Sequence, residues 1–307
     1  MHSDTSDTLS PEILVLPALV NDDEERPCEQ RRWLTDRDFT RTKEVPGCPH
    51  PLRCTGDGVG IFPVGVGKSN AAGSMGALCS ADGIDISNTI FMSVGIAGIS
   101  PAVGTIGSVM IADDVVDWDC KFRLDPDNSG RPTVLPSRVR DAVFPLPDEL
   151  HPQMLDAATE ATLIQDDEIT EICTRYELDA ARDHPTVGIG TTVTSDEFWH
   201  GTTTAADVET FLDEVGSGPL ATTQMEEFAV ATVLDRFGHL ERYYSVRAAS
   251  NFDRPPANGS PREILDEIKD STAITVGLEN AFRVGTVLVD TLLDSPRVGS
   301  SARTDTQ

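Results

Sequence analysis

The 307-residue chain reads as an α/β protein with a central mixed, mostly parallel sheet flanked by helices, and three features predict this. The first is segment 90–112, IFMSVGIAGISPAVGTIGSVMIA, which carries no charge in a chain otherwise crowded with Asp and Glu. Gly95, Gly98, Pro101, Gly104 and Gly107 divide it into two short apolar runs, 90–94 and 109–112, of the kind that form fully buried strands around a glycine-rich turn. The second is the alternation of strand-length apolar runs with helix-periodic stretches. The third is glycine at the strand ends, where backbone can approach a ligand closely. Segment 90–112 also has about the length of a membrane span, but its glycines and proline argue against one.

In chain order, residues 12–16 (EILVL) form the first buried strand. A polar stretch at 21–58 follows, in which Pro27, Pro46, Pro49 and Pro51 exclude a long helix; it reads as an insertion pinned by Trp33 and Phe39. A strand at 59–64 runs into GVGKSNAA at 65–72 and a small-residue helix to about residue 80. Beyond the uncharged segment, Asp113 and Asp114 mark the far end of its second strand. Residues 123–150 are proline-rich and read as a second insertion. Helical spacing runs over 151–182, broken near Gln165; a strand covers 185–190; a polar loop at 191–201 carries Phe198, Trp199 and His200. Residues 224–234 follow helix rules, 241–249 a strand, 250–256 a turn, and 264–293 one or two amphipathic helices. A single domain over 11–293 with disordered tails at 1–10 and 294–307 is the expected organisation.

Charge narrows the function. Fifty-one acidic residues against 24 basic ones leave a formal net charge of −27, and only Lys43, Lys68, Lys121 and Lys269 are lysines. Acid spread over the whole surface suits high salt, where screening removes most of the self-repulsion. Nucleic acid is an unsuitable partner, because phosphate contacts need clustered Lys and Arg. Residues 1–10 lack the pattern of a secretory signal, so a cytoplasmic location is expected. The six cysteines show no CxxC spacing and read as free thiols; Cys48, His50 and Cys54 make too weak a cluster for zinc, and no metal is expected. Gly67-Lys68-Ser69 invites a phosphate-loop reading that fails on spacing, since Phe62 stands where the motif needs glycine. The segment is expected to be a tight strand-to-helix turn whose free N–H groups face a pocket.

Four blocks, GVGKSNAA at 65–72, GIAGISP at 95–101, TSDEFWHG at 194–201 and RAASNFDRPP at 247–256, together resemble the purine nucleoside permease family. That family is itself similar to the purine nucleoside phosphorylase and methylthioadenosine nucleosidase superfamily. The resemblance covers roughly residues 11–293 and implies a phosphorylase/hydrolase-like fold, an enzyme that cleaves the N-glycosidic bond of purine nucleosides, and a homo-oligomer. It implies no metal or organic cofactor, with inorganic phosphate as co-substrate if the reaction is phosphorolysis. The word permease conflicts with the lack of a membrane span in the sequence.

The residues suit that chemistry. Cleaving a ribosyl–base bond passes through an oxocarbenium-like sugar, which needs an acceptor for the ribose hydroxyls and a donor for the leaving base. Met225-Glu226 matches the superfamily's Met-Glu pair, and the resemblance implies that Glu226 would bind the 2′ and 3′ hydroxyls with Met225 packed on the sugar, while Glu227 reads as a solvated helix residue. Asn251 stands where relatives carry an aspartate general acid. An amide cannot deliver a proton but can hydrogen-bond purine N7 and O6, which implies a preference for 6-oxopurines. Asp253 is either a spare acid or one half of an ion-paired turn. Phe198 matches the aromatic that stacks on the base, with Trp199 in the same pocket and His200 near the 5′ hydroxyl. Gly95, Ile96, Ala97 and Gly98 are expected to form the floor of the sugar and anion site, and Gly67, in the turn before the small-residue helix, to bind substrate.

Ile96 departs from the superfamily's Ser or Thr and removes a phosphate ligand. Arg31, Arg32, Arg53 and Arg247 are candidate phosphate-binding arginines without spacing to choose among them. Asp22 and Glu24, in the loop after the first strand, are available to activate water or flank the anion. Phosphorolysis and hydrolysis therefore stay open at this level, and so does a non-catalytic nucleoside-binding protein assisting uptake.

Overall fold

The computed structural model describes residues 8–126 and 132–294. Of the two stretches expected to be tails, residues 1–7 and 295–307 lie outside the described residues. Leu9, in the first of those stretches, is buried and bridges to Ile84.

The first strand, β1 (Ile13–Leu16), shows why the sheet is central. Leu14 and Leu16 enter one apolar cluster and Ile13 and Val15 another, so both faces are covered and the sequence is continuously apolar. The insertion at 21–58 contains α1 (Arg31–Asp36), β2 (Arg41–Lys43) and β3 (Leu52–Cys54), with Trp33 buried edge-on against Phe282. Then come β4 (Val59–Ile61), α2 (Lys68–Cys79), β5 (Ile90–Ile99) and β6 (Val109–Asp117). The next stretch carries β7 (Lys121–Leu124), β8 (Thr133–Pro136) and β9 (Val143–Pro145), followed by α3 (His151–Thr159), α4 (Asp167–Cys173) and α5 (Asp179–Arg182). The remainder is β10 (Val187–Thr194), α6 (Thr202–Val215), β11 (Leu220–Gln224), α7 (Glu227–Arg236), β12 (Tyr243–Phe252), α8 (Pro261–Asp270) and α9 (Ala273–Asp294).

The main sheet runs β11-β10-β6-β12-β5-β1-β4-β3-β2, and β11 also pairs antiparallel with β5 through Thr222–Ile99 and Thr223–Gly98. Strands β5, β12, β6, β10 and β11 thus close into a barrel-like ring. The expectation of a mostly parallel sheet needs correction. Five strand pairings are parallel and five antiparallel. Register shifts between Gly190 and Thr192 and between Ala249 and Asn251 bend β10 and β12, and such bending suits a sheet that curls until β11 meets β5.

A second difference concerns segment 90–112. Its first apolar run does not end at Gly95: β5 continues to Ile99 because β12 runs beside it in register from Phe91 to Ile99. The turn is confined to residues 100–108. Asp113 and Asp114 likewise lie inside β6, where Asp113 is within hydrogen-bond reach of Thr191 Oγ1 and Asp114 accepts from Ser217 Oγ.

Helices α2 and α7 cover one face, with Met75, Leu78, Phe228, Val230 and Leu234 in the cluster that holds Leu14, Leu16 and Phe91. Helix α9 covers the other through Val284, Leu288 and Val289 against Met92, Val94 and Val246. The alternation leaves Tyr243, Ser245 and Arg247 of β12, all fully or nearly fully buried, in a polar row on the opposite strand face from Tyr244, Val246 and Ala248.

Candidate active site

Helix α7 begins where β11 ends, and its first N–H groups are satisfied by side chains. Gln224 Oε1 accepts from the N–H groups of Glu226 and Glu227 at 2.8 and 2.9 Å, and Thr194 Oγ1 accepts from Phe228 N–H at 3.0 Å. Glu226 occupies the N-cap position without capping the helix through its own side chain. Its Oε1 instead accepts from Gly67 N–H at 3.0 Å, and its Oε2 lies 3.5 Å from Arg247 Nη2. Gly67 adopts φ +86°, in the left-handed region that favours glycine, and so turns its N–H toward the carboxylate. Burial pushes the Glu226 carboxyl up to about 6; Arg247 and Gly67 N–H oppose that shift, while Glu29 and Glu227 add to it.

Arg247 is the centre of this arrangement. Nε donates to Glu227 Oε1 at 2.6 Å, Nη1 donates to Ile96 O at 3.2 Å and lies 3.7 Å from Glu29 Oε1, and Nη2 faces Glu226. Burial alone would lower its basicity, but the three carboxylates outweigh burial and hold it above the usual arginine range. Glu29 is buried as well: Oε1 accepts from Ile96 N–H at 2.9 Å, and Oε2 from Ala18 and Leu19 N–H at 2.6 and 3.0 Å. Three buried carboxylates thus share one guanidinium.

Gly95 makes this possible. A Cβ there would sit 2.2 Å from Glu29 Oε1 and 2.7 Å from Arg247 Nη1, so only glycine lets both groups reach the strand. Ile96 serves the site through its backbone; its side chain lies against α9, where a Cβ on Gly277 would be 3.2 Å from Ile96 Cγ2. Ala97 is buried beside it, and its carbonyl accepts from Ser250 Oγ at 3.4 Å.

Next to the charged cluster a narrow cleft is lined by Gly98, Glu197, Phe198, Trp199, Thr223, Gln224, Met225 and Asn251. Asn251 Nδ2 donates to Phe252 O at 2.7 Å and Oδ1 accepts from Ser250 Oγ at 3.3 Å. Phe198 is 54% exposed, an open aromatic face at the rim, whereas Trp199 is buried and packs in the cluster with Trp118 and Phe211.

The structure therefore brings Glu226, Asn251, Met225, Phe198, Trp199, Gly67, Gly95, Ile96 and Ala97 into one region. Four expectations change. Asp22 and Glu24 are exposed, because Glu29 N–H donates to Leu19 O and the loop folds back on itself. The base of that loop, not its tip, meets the sheet, and it brings Glu29 rather than Asp22 or Glu24 to Ile96 and Arg247. Asp253 is an ion-paired turn residue: it accepts from Arg254 at 2.7 and 3.0 Å, Arg254 also binds Glu209, and Asp253 does not line the cleft. His200 also lies outside the cleft lining; burial lowers its pKa and Nδ1–H donates to Phe252 O at 2.9 Å, so it braces the loop as a neutral imidazole. Glu227, read as solvated, is fully buried under Arg247.

The free N–H groups expected at the start of α2 are also taken. Gly67 N–H goes to Glu226 and Lys68 N–H to Asp196 Oδ1 at 2.7 Å, while Lys68 Nζ is held by Asp117 and Asp119 at 2.9 and 2.6 Å. Of the candidate arginines only Arg247 is at the site. Arg31 donates to Arg26 O and Asp23 O, Arg32 pairs with Glu279, and Arg53 lies in β3. Glu29 and Glu227 were missed. Glu227 had a usable signal in the polar row Tyr243, Ser245, Arg247, which needs a partner when buried; Glu29, in an irregular loop, had none. Among the described residues no group of His, Cys, Asp and Glu is placed to hold a metal, and no helix is long and apolar enough to cross a membrane.

Comparison with known proteins bears on the family and the fold. A protein named probable purine nucleoside permease from Schizosaccharomyces pombe is 27% identical over 263 residues, covering 75% of this chain and 74% of that one. The purine nucleoside permease of Candida albicans is 26% identical over 296 residues, covering 87% and 73%. Among solved structures, the MTA/SAH nucleosidase of Streptococcus pneumoniae aligns with a TM-score of 0.61 at 16% identity, covering 91% of this chain and 99% of that one. The futalosine hydrolase of Helicobacter pylori aligns at 0.60 and 16%, covering 91% and 97%; identities this low speak for the fold alone. The profile of the family described as purine nucleoside permease matches residues 19–296, and with a nucleosidase-like mixed α/β fold behind that match the chain belongs to the purine nucleoside permease family.

Proposed function

We propose that the protein cleaves the N-glycosidic bond of purine nucleosides, 6-oxopurines preferred, with water as the acceptor. One observation carries the choice of water. The position expected for an anionic co-substrate, at Ile96 N–H and beside Arg247, is filled by the Glu29 carboxylate. A phosphate dianion placed there would meet Glu29, Glu226 and Glu227 around a single guanidinium, and like charges in a buried site are strongly unfavourable.

In this reading Glu226 accepts hydrogen bonds from the ribose hydroxyls, Met225 packs on the sugar, and Phe198 stacks on the base. The C1′–N9 bond breaks with its electron pair leaving on the purine, and the acidic surroundings stabilise the positive charge that develops on the sugar. Glu29 takes a proton from the water whose oxygen bonds to C1′. Asn251 offers its amide to N7 and O6 of the departing base; the proton that N7 or N9 finally carries comes from solvent, since an amide has none to give.

The absence of an acid at Asn251 and the names of the curated relatives favour a second reading, a nucleoside-binding protein that assists uptake. The experiment that separates them is incubation with inosine, guanosine and adenosine in high salt, with and without phosphate. Phosphate-independent release of hypoxanthine and guanine is expected. Binding without any base release sinks the enzyme reading, and release that requires phosphate sinks the choice of water.

A further inference from the structure

Glu227 is a carboxylate for which the chemistry above has no use. It is fully buried at the start of α7, and the two side chains it binds, Ser245 and Arg247, are buried as well. Its Oε1 accepts from Ser245 Oγ at 2.5 Å and from Arg247 Nε at 2.6 Å, while Oε2 has no hydrogen-bond partner. A guanidinium is planar and rigid, so holding Nε sets the directions of both outer nitrogens. Those nitrogens face the two carboxylates that the proposed reaction needs: Nη2 lies 3.5 Å from Glu226 and Nη1 3.7 Å from Glu29.

We propose that Glu227 is a positioning residue that, braced by Ser245, aims the Arg247 guanidinium at Glu226 and Glu29. For its kinetic readout the proposal rests on the nucleoside-cleavage reading. Its charge matters as well as its reach. The groups that face Glu226 are Arg247 on β12, Gly67 N–H at the start of α2, Glu29 in the loop after β1 and Glu227 on its own helix. Tyr243, also close, has its hydroxyl on Ser93 Oγ at 2.9 Å and is kept neutral by burial. Removing the Glu227 charge takes away one like charge from Glu226 and frees more of Arg247 for it. Both changes favour ionised Glu226.

The test uses the full chain with Glu227→Gln, which keeps an oxygen for Ser245 and Arg247 without the charge, and Glu227→Asp, which keeps the charge but shortens the reach. Folding of each is checked by thermal melting. The measurements are kcat/KM for inosine and, separately, the inosine Kd by calorimetry, each from about pH 5 to about pH 8. In Glu227→Gln the acid limb set by Glu226 is expected to move down by about one pH unit. In Glu227→Asp the limb stays in place while kcat falls by about 10- to 100-fold through lost aim. A role limited to holding the fold together would lower the rate evenly at every pH. A folded Glu227→Gln protein whose acid limb has not moved overturns the proposal. If the wild type releases no base, the cleavage reading fails, and the Kd curve decides: the same downward displacement supports Glu227, and an undisplaced curve overturns it.

Discussion

Replacing Glu226 by Gln should make the protein both less active and more stable. The carboxyl is raised from 4.5 to about 6, so ionising it in the folded protein costs about 2 kcal/mol more than in the unfolded chain. Because the folded value lies above the unfolded one, the folded state holds the extra proton between the two. Stability therefore falls as pH rises from about 4.5 to about 6, and the full cost applies above that. Gln keeps an acceptor for Gly67 N–H, and the value of about 6 already includes the attraction of Arg247 3.5 Å away, so losing that contact is not a further cost. The gain of about 2 kcal/mol at pH 8 corresponds to a melting point raised by about 3 °C, and it should vanish near pH 4.5. Activity moves the other way. Losing the charge-assisted hydrogen bonds to two ribose hydroxyls removes about 3 kcal/mol or more, a fall of about 100-fold or more in kcat/KM. The assay is hypoxanthine release from inosine beside thermal melts at both pH values. An unchanged kcat/KM removes Glu226 from the sugar site. A melting point lowered at pH 8 refutes the electrostatic argument.

Three further outcomes follow from the same geometry. Glu29→Gln should abolish turnover by about 100-fold or more while changing the inosine Kd by less than about threefold, and comparable losses in both would deny Glu29 its role toward water. Asn251→Asp supplies a protonatable group beside the base, so cleavage of adenosine relative to inosine should rise by about tenfold; competition between the two nucleosides reads this directly, and an unaltered ratio counts against Asn251 as the base-recognising residue. Gly95→Ala places a methyl carbon 2.2 Å from Glu29 Oε1, so it should both inactivate the protein and destabilise it by about 2 kcal/mol, measured by denaturant unfolding.

Strand-forming runs were legible along the chain because they depend on local composition and spacing, whereas the Met-Glu pair stood out only through the family resemblance. Segment 90–112 could be recognised as buried from its missing charges, and Gly95 as a place of close approach. What approaches Gly95 was not legible. Glu29 reaches it across 66 positions of sequence, from a loop that folds back on itself, and no periodicity marks such a residue. Closure of β11 onto β5 is likewise a long-range pairing, written in no single segment. Glu227 and Asp253 show the same limit from the other side. Each is an acid beside another polar residue in sequence, and whether such an acid meets solvent, substrate or a buried arginine depends on which strand passes beneath it. The sequence alone thus pointed to the class of fold, the buried segments and, of the eight residues that line the cleft, the side chains of Phe198, Trp199, Met225 and Asn251. The tertiary structure alone decided which carboxylates share Arg247, because burial and charge pairing are properties of neighbours in space.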